Sequence, residues 1–117
     1  MSYDRRDAEL LAEIRQTPRQ MAPVHPGEVL LLDFMEPFGL SQNALARALN
    51  VSPRRINEIV HGRRAVTAGT AYRLARFFGT SPEFWVNLQA QYDLQAAEDE
   101  AERADAEVTP LAELPQA

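Results

Sequence analysis

Residues 40–64, LSQNALARALNVSPRRINEIVHGRR, read as two short helices joined by a tight turn. Ser41 can cap the first helix, whose inner face is Leu45, Ala46 and Leu49. Asn50 follows, a residue that tolerates the left-handed backbone with which helices stop. Val51 fills the corner. Ser52 then caps the second helix, and Pro53 takes its first position, where a missing N–H costs nothing. Ile56 and Ile59 turn inward, which leaves Arg54, Arg55, Asn57 and Glu58 outside. This pattern predicts a helix-turn-helix whose second helix displays side chains able to read base edges.

Charge is distributed to match. The chain of 117 residues has a formal net charge of −5, which by itself argues against a nucleic-acid binder. Residues 41–76, however, hold seven arginines and one acid, Glu58, for a local charge of +6. The rest of the chain therefore carries −11. A basic face on an acidic body is the electrostatic footprint of a nucleic-acid-binding protein, whereas scattered arginines would only solvate helix surfaces. All twelve basic residues are Arg, which suits bidentate contact with guanine and phosphate but also follows from genomic base composition.

The length accommodates one ordinary domain with extensions, and 45% hydrophobic residues argue against global disorder. Without cysteine, disulfides and thiolate chemistry are excluded. No apolar run approaches the ~18 residues of a membrane span, and the polar start does not resemble a secretory signal. The expected location is the cytoplasm, away from any membrane.

Three regions follow from the pattern. Residues 1–25 comprise a short amphipathic helix, with Leu10, Leu11 and Ile14 on one side, and a proline-rich linker over 17–25 that includes His25. Residues 26–92 form the domain. Its first helix starts near Pro26 and should end before Pro37, with Leu30 and Phe34 as core positions. Thr67 starts another helix, whose Ala71, Leu74, Ala75 and Phe78 keep helical spacing, and Gly79 ends it. Gly69 sits awkwardly in the first turn. Ser81, Pro82 and Glu83 start a further helix with Trp85, Leu88 and Tyr92 as its apolar stripe. Residues 93–117 hold eight acids and one arginine; helix should continue to about Glu107 and then fray. Leu94, Ala97, Ala101, Ala104 and Val108 keep a spacing that either seams a partner helix or belongs to a solvated helix end. Phe34, Leu45, Leu49, Ile56, Ile59, Leu74, Phe78 and Trp85 are the expected core.

The blocks HPGEVL, the helix-turn-helix stretch quoted above and GTSPEFWVNLQ, in that order, resemble the HigA/VapI-type antitoxins of type II toxin–antitoxin modules. These fall within the phage-repressor-like helix-turn-helix superfamily. The resemblance runs from about Val24 to Tyr92. The helical pattern predicts an all-α fold with five core helices, and the resemblance implies that they form a phage-repressor-like DNA-binding domain. The short N-terminal helix and the extended acidic C-terminal helix and tail are read from the sequence alone. The resemblance also implies a homodimer that binds a palindromic double-stranded operator, represses its own operon and neutralises a HigB-like mRNA-cleaving toxin. The extensions have no counterpart in that resemblance, and Gly69 stands where the family usually has a polar residue.

Site residues follow from spacing and resemblance together. Arg54 and Glu58, four apart, share one face of the recognition helix; Arg54 can fork to guanine O6 and N7, and Glu58 can accept from cytosine N4 or orient Arg54 by an ion pair. Ser52, Arg55 and Asn57 join the same helix start, reaching bases or phosphates. Gln42 stands where the superfamily clamps a phosphate, and Arg63 and Arg64 suit phosphate contacts in the following loop. Arg47, Arg73 and Arg76 read as solvated surface. For the toxin, Leu10, Leu11 and Ile14 are the candidate contacts. His25 and His61 lack metal-type neighbours, and no phosphate loop, nucleophile elbow or paired-carboxylate cleft is present. The expectation is a non-enzyme without cofactor or metal. The competing reading is a stand-alone helix-turn-helix transcriptional regulator with no toxin partner.

Overall fold

Side-chain caps set where the helices begin. In the computed structural model, which describes residues 22–115, Ser41 Oγ accepts from Ala44 N–H and opens α2 (Gln42–Leu49). Ser52 Oγ accepts from Arg55 N–H and opens α3 (Pro53–Val60). Thr67 opens α4 (Ala68–Phe78) and Ser81 opens α5 (Pro82–Ala96) in the same way. Each cap satisfies an N–H that the first turn leaves without a helical partner. Between α2 and α3, Asn50 adopts φ 57°, ψ 48°, the left-handed stop that turns the chain toward Ser52.

The first helix, α1 (26–38), starts at Pro26 as expected, but its cap and its far end differ from expectation. His25 was assigned to the extended linker; it is instead the buried N-cap of α1, its Nδ1 accepting from Gly27 N–H at 2.9 Å. Its ring lies edge-on to Tyr92 of α5, with centroids 4.7 Å apart. At the other end the helix passes through Pro37 to Phe38 rather than stopping before the proline. The middle of α1, Leu30–Met35, is wound as a π-helix, with Glu36 N–H bonded to Leu31 O. The wider turn opens the space where an α-helical Pro37 would collide with the carbonyl four residues back.

Gly27 lies against the recognition helix. A methyl group there would collide with the backbone carbonyl of Ile59, so only glycine lets the start of α1 seat on the end of α3.

The core lies between α1 and α5 and is built from Leu30, Leu32, Met35, Leu45, Ala46, Leu49, Ile56, Ile59, Val66, Ala71, Leu74, Ala75 and Trp85. Phe34 and Phe78, expected inside, are only half-buried. They form the outer edge of an aromatic cluster, Phe34 standing 5.0 Å from Phe78 and 4.9 Å from Trp85 between ring centroids. Trp85 is fully enclosed and donates Nε1–H to Thr80 Oγ1 at 2.8 Å. Buried Gln89 accepts from Val66 N–H at 2.8 Å and donates to Asp93 at 2.9 Å, pinning the loop before α4 to α5.

The expected run of helix to Glu107 is interrupted. At Ala97 the backbone leaves helical values (φ −103°, ψ 24°), and α6 (Glu98–Glu107) restarts with no side-chain cap. A single 3₁₀ turn, Leu111–Glu113, follows where fraying was expected. Every residue of α6 and of that turn is exposed. Among the described residues there is no strand, and no helix is long and apolar enough to cross a membrane. Leu10, Leu11 and Ile14 lie outside the described residues.

Candidate nucleic-acid interface

Ile56 and Ile59, both fully buried, fix the rotation of α3 about its axis. With 3.6 residues per turn, this sets the opposite side of α3 outward. Arg54 is the most exposed charged group there, its side chain 86% accessible. Arg55, Asn57 and Glu58 are half-buried flanks of the same surface.

Two hydrogen-bonded groups organise this surface. Asn57 Nδ2 donates to Gln42 Oε1 at 3.0 Å, so the start of α2 and the middle of α3 are tied together. Glu58 accepts from Arg54 Nε at 3.2 Å through one carboxylate oxygen and from Arg64 Nε at 2.8 Å through the other. Hydrogen bonds from Arg64 and then Arg54 hold the Glu58 carboxyl below the usual carboxylate range. The turn that carries Arg64 is shaped by Gly62 N–H to Ile59 O at 3.0 Å and Arg63 N–H to Glu58 O at 2.8 Å. His61 Nδ1 donates to Asn57 O at 2.8 Å and closes the end of α3.

The sequence-derived set is therefore brought onto one face: Gln42 with Asn57, and Arg54 and Arg64 with Glu58. Ser52 has its hydroxyl engaged in the cap. Arg63 is exposed beside Arg64. Arg73, assigned to solvated surface, donates Nη1–H to Leu49 O at 2.8 Å and satisfies a carbonyl at the end of α2. A separation of 24 residues conceals that contact from any local pattern. Among the described residues no group of His, Asp or Glu has metal-holding geometry.

A helix-turn-helix family model matches residues 31–85. Virulence-associated protein I of Dichelobacter nodosus is 52% identical over 81 residues, 69% of this chain and 75% of that protein. An addiction module antidote protein of the HigA family from Coxiella burnetii has a similar structure, with TM-score 0.72 and 45% identity over 77% of this chain and 99% of that one. The chain belongs to the HigA family of helix-turn-helix antitoxins. Another structure similar to this HigA-family chain is the Pseudomonas aeruginosa antitoxin HigA with the higBA promoter, at TM-score 0.72 and 44% identity over 76% of this chain and 98% of that one. Both solved chains are covered almost end to end, so this HigA-family protein carries additional sequence outside the shared domain.

Proposed function

We propose that this HigA-type protein binds a palindromic operator as a homodimer, represses its own operon and neutralises a HigB-like mRNA-cleaving toxin. The observation that carries the reading is the arginine-lined α3, capped, anchored by two buried isoleucines and joined to α2 through Asn57 and Gln42. Arg54 and Arg55 are the proposed base readers, with Asn57 beside them. Gln42, Ser52, Arg63 and Arg64 are the proposed phosphate contacts, which fix register without reading sequence. The similar Pseudomonas aeruginosa protein with its promoter supports DNA as the partner.

One recognition helix contacts too few base pairs for high specificity, so two copies would place their α3 helices about 34 Å apart on one side of the duplex. The dimer would use apolar surface outside α3, where Tyr72, Phe77 and Val86 are exposed. The proposed division of labour assigns DNA to residues 26–92. The toxin falls to one or both of the flanking 1–25 and 93–117 together with α1, with Leu10, Leu11 and Ile14 as apolar contacts. An RNA-cleaving toxin binds a polyanion and is expected to be basic; the −11 carried outside 41–76 suits such a partner and would speed encounter. The proposed work is binding, in the cytoplasm, without catalysis.

Footprinting the full chain on DNA upstream of its own reading frame tests the operator. Co-expression with the product of an adjacent short, basic reading frame tests the toxin. Protection of a two-fold site together with rescue of growth supports the proposal. Protection without rescue or binding supports the stand-alone regulator, and absence of protection removes the DNA reading altogether.

A further inference from the structure

Glu58 is the only acid among residues 41–76, and it stands in the middle of the face that would meet a polyanion. A carboxylate there opposes phosphate, so its place requires a reason. The ion pairs are solvent-exposed, and exposed pairs contribute little to folding. Their geometry is more informative than their strength. Each carboxylate oxygen holds one guanidinium, and each guanidinium is held by Nε. A guanidinium is planar and rigid, so anchoring Nε orients its plane and leaves the two Nη groups on the far edges. Among the described residues neither Arg54 nor Arg64 has another hydrogen bond, so both Nη pairs remain available. One arginine comes from α3 and the other from the turn after it. Glu58 makes a single two-guanidinium unit from side chains that come from two successive elements.

We propose that Glu58 is a specificity-determining positioning residue: it clamps Arg54 and Arg64 by their Nε atoms so that Arg54 meets a guanine edge while Arg64 meets the adjoining phosphate. The inference rests on the DNA-binding reading above. Glu58 has two effects here. It narrows the arginine orientations to those that fit one base step, and its negative charge weakens binding to sequences where that fit is absent. Without it, two mobile arginines would bind any phosphate backbone.

The test uses the full chain and two 30-bp duplexes: the one the wild type enriches most from a randomised library, and a scrambled duplex of equal composition. Glu58→Gln should reduce discrimination between them by about tenfold, within the range a bidentate base contact commands. It should also tighten binding to the scrambled duplex and steepen its salt dependence, with the thermal midpoint unchanged. Glu58→Asp keeps the charge but shortens the reach; it should lose discrimination without gaining affinity for the scrambled duplex. In a double-mutant cycle, Glu58→Gln should add little loss of discrimination to Arg54→Ala, because both remove the same oriented contact. Full discrimination by Glu58→Gln and Glu58→Asp, or multiplying losses in the double variant, overturns the clamp and leaves DNA binding intact. A wild type that enriches no sequence overturns the DNA reading and the clamp with it.

Discussion

The helix-turn-helix and the C-terminal extension are both helical, but they are held by different forces. In α2 and α3, side-chain caps start each helix and buried residues, Leu45, Leu49, Ile56 and Ile59 among them, fix each helix's rotation. In α6 no residue is buried, no side chain caps the start, and local pairs do the organising: Arg103 reaches Asp99 at 3.2 Å and Glu100 at 2.9 Å. Isolated helices of eight or ten residues are marginal in water, and α3 gains from buried contacts the support that α6 lacks. The difference teaches where side-chain direction is fixed well enough to recognise a partner. Arg54 points outward because Ile56 and Ile59 point in. Nothing comparable aims Val108 or Leu111, both strongly exposed.

The strongest way to break this contrast is to truncate an anchor on each side. Ile56→Ala should cost roughly 2–5 kcal/mol of stability, the range for buried aliphatic truncation, whereas Leu111→Ala should stay within about 0.5 kcal/mol. Urea unfolding of both variants checks this. Equal effects would mean that the extension is packed as the body is.

Gly27→Ala comes next. The added methyl collides with the Ile59 carbonyl, and forced overpacking of this kind costs about 1–3 kcal/mol. Because the collision falls at the end of α3, operator affinity should fall with stability. A variant as stable as the wild type would show that α1 can move away freely.

His25 sharpens the comparison through pH. Burial lowers its pKa below the ordinary histidine value, partly opposed by the Asp93 carboxylate, and Nδ1 must stay unprotonated to accept from Gly27 N–H. The unfolded chain therefore takes up the proton more readily than the folded one. This stability is fully present above pH ~6.5, declines as pH falls below that value, and levels off below the folded pKa. Unfolding midpoints at pH 7.5 and 5.5 should show the decline. In His25→Asn, which keeps an acceptor for the cap without titrating, it should be absent. An unchanged pH dependence in that variant would remove His25 as its source.

The smallest effect is expected at Gly69. A methyl there meets nothing within 4 Å, and its backbone φ is not positive. Gly69→Ala should stabilise the protein by a few tenths to about 1 kcal/mol through helix propensity. A calorimetric midpoint that falls instead would reveal a contact with a second copy at this position.

What could be read in the sequence was what is local. Ser41, Ser52, Thr67 and Ser81 cap their own helices, three residues from the N–H they satisfy, and Asn50 and Gly79 mark stops by their own backbone preference. The recognition face followed, since helical spacing alone separates Ile56 and Ile59 from Arg54 and Glu58. Features set by distant partners were hidden. The Gln89 bond to Val66 spans 23 residues, and the burial of His25 depends on Tyr92 of α5. Passage through Pro37 depends on a π-helical turn that no local propensity announces. Within the site, the Arg54–Glu58 pair was visible as an i, i+4 spacing. The second arm, Arg64, depends on the path of the turn at Gly62 and could not be counted from spacing.

The most direct test of the central claim is selection of duplex DNA by the full chain from a randomised library, repeated with Arg54→Ala. The wild type should enrich a two-fold-symmetric sequence with half-sites centred about one helical turn apart, roughly 10–10.5 bp. Arg54→Ala should lose about 1–3 kcal/mol and relax preference at one symmetric pair of positions, whereas Arg63→Ala should weaken all sequences alike. Enrichment of no sequence, or a preference that Arg54→Ala leaves untouched, would contradict the assignment of α3 as the recognition helix.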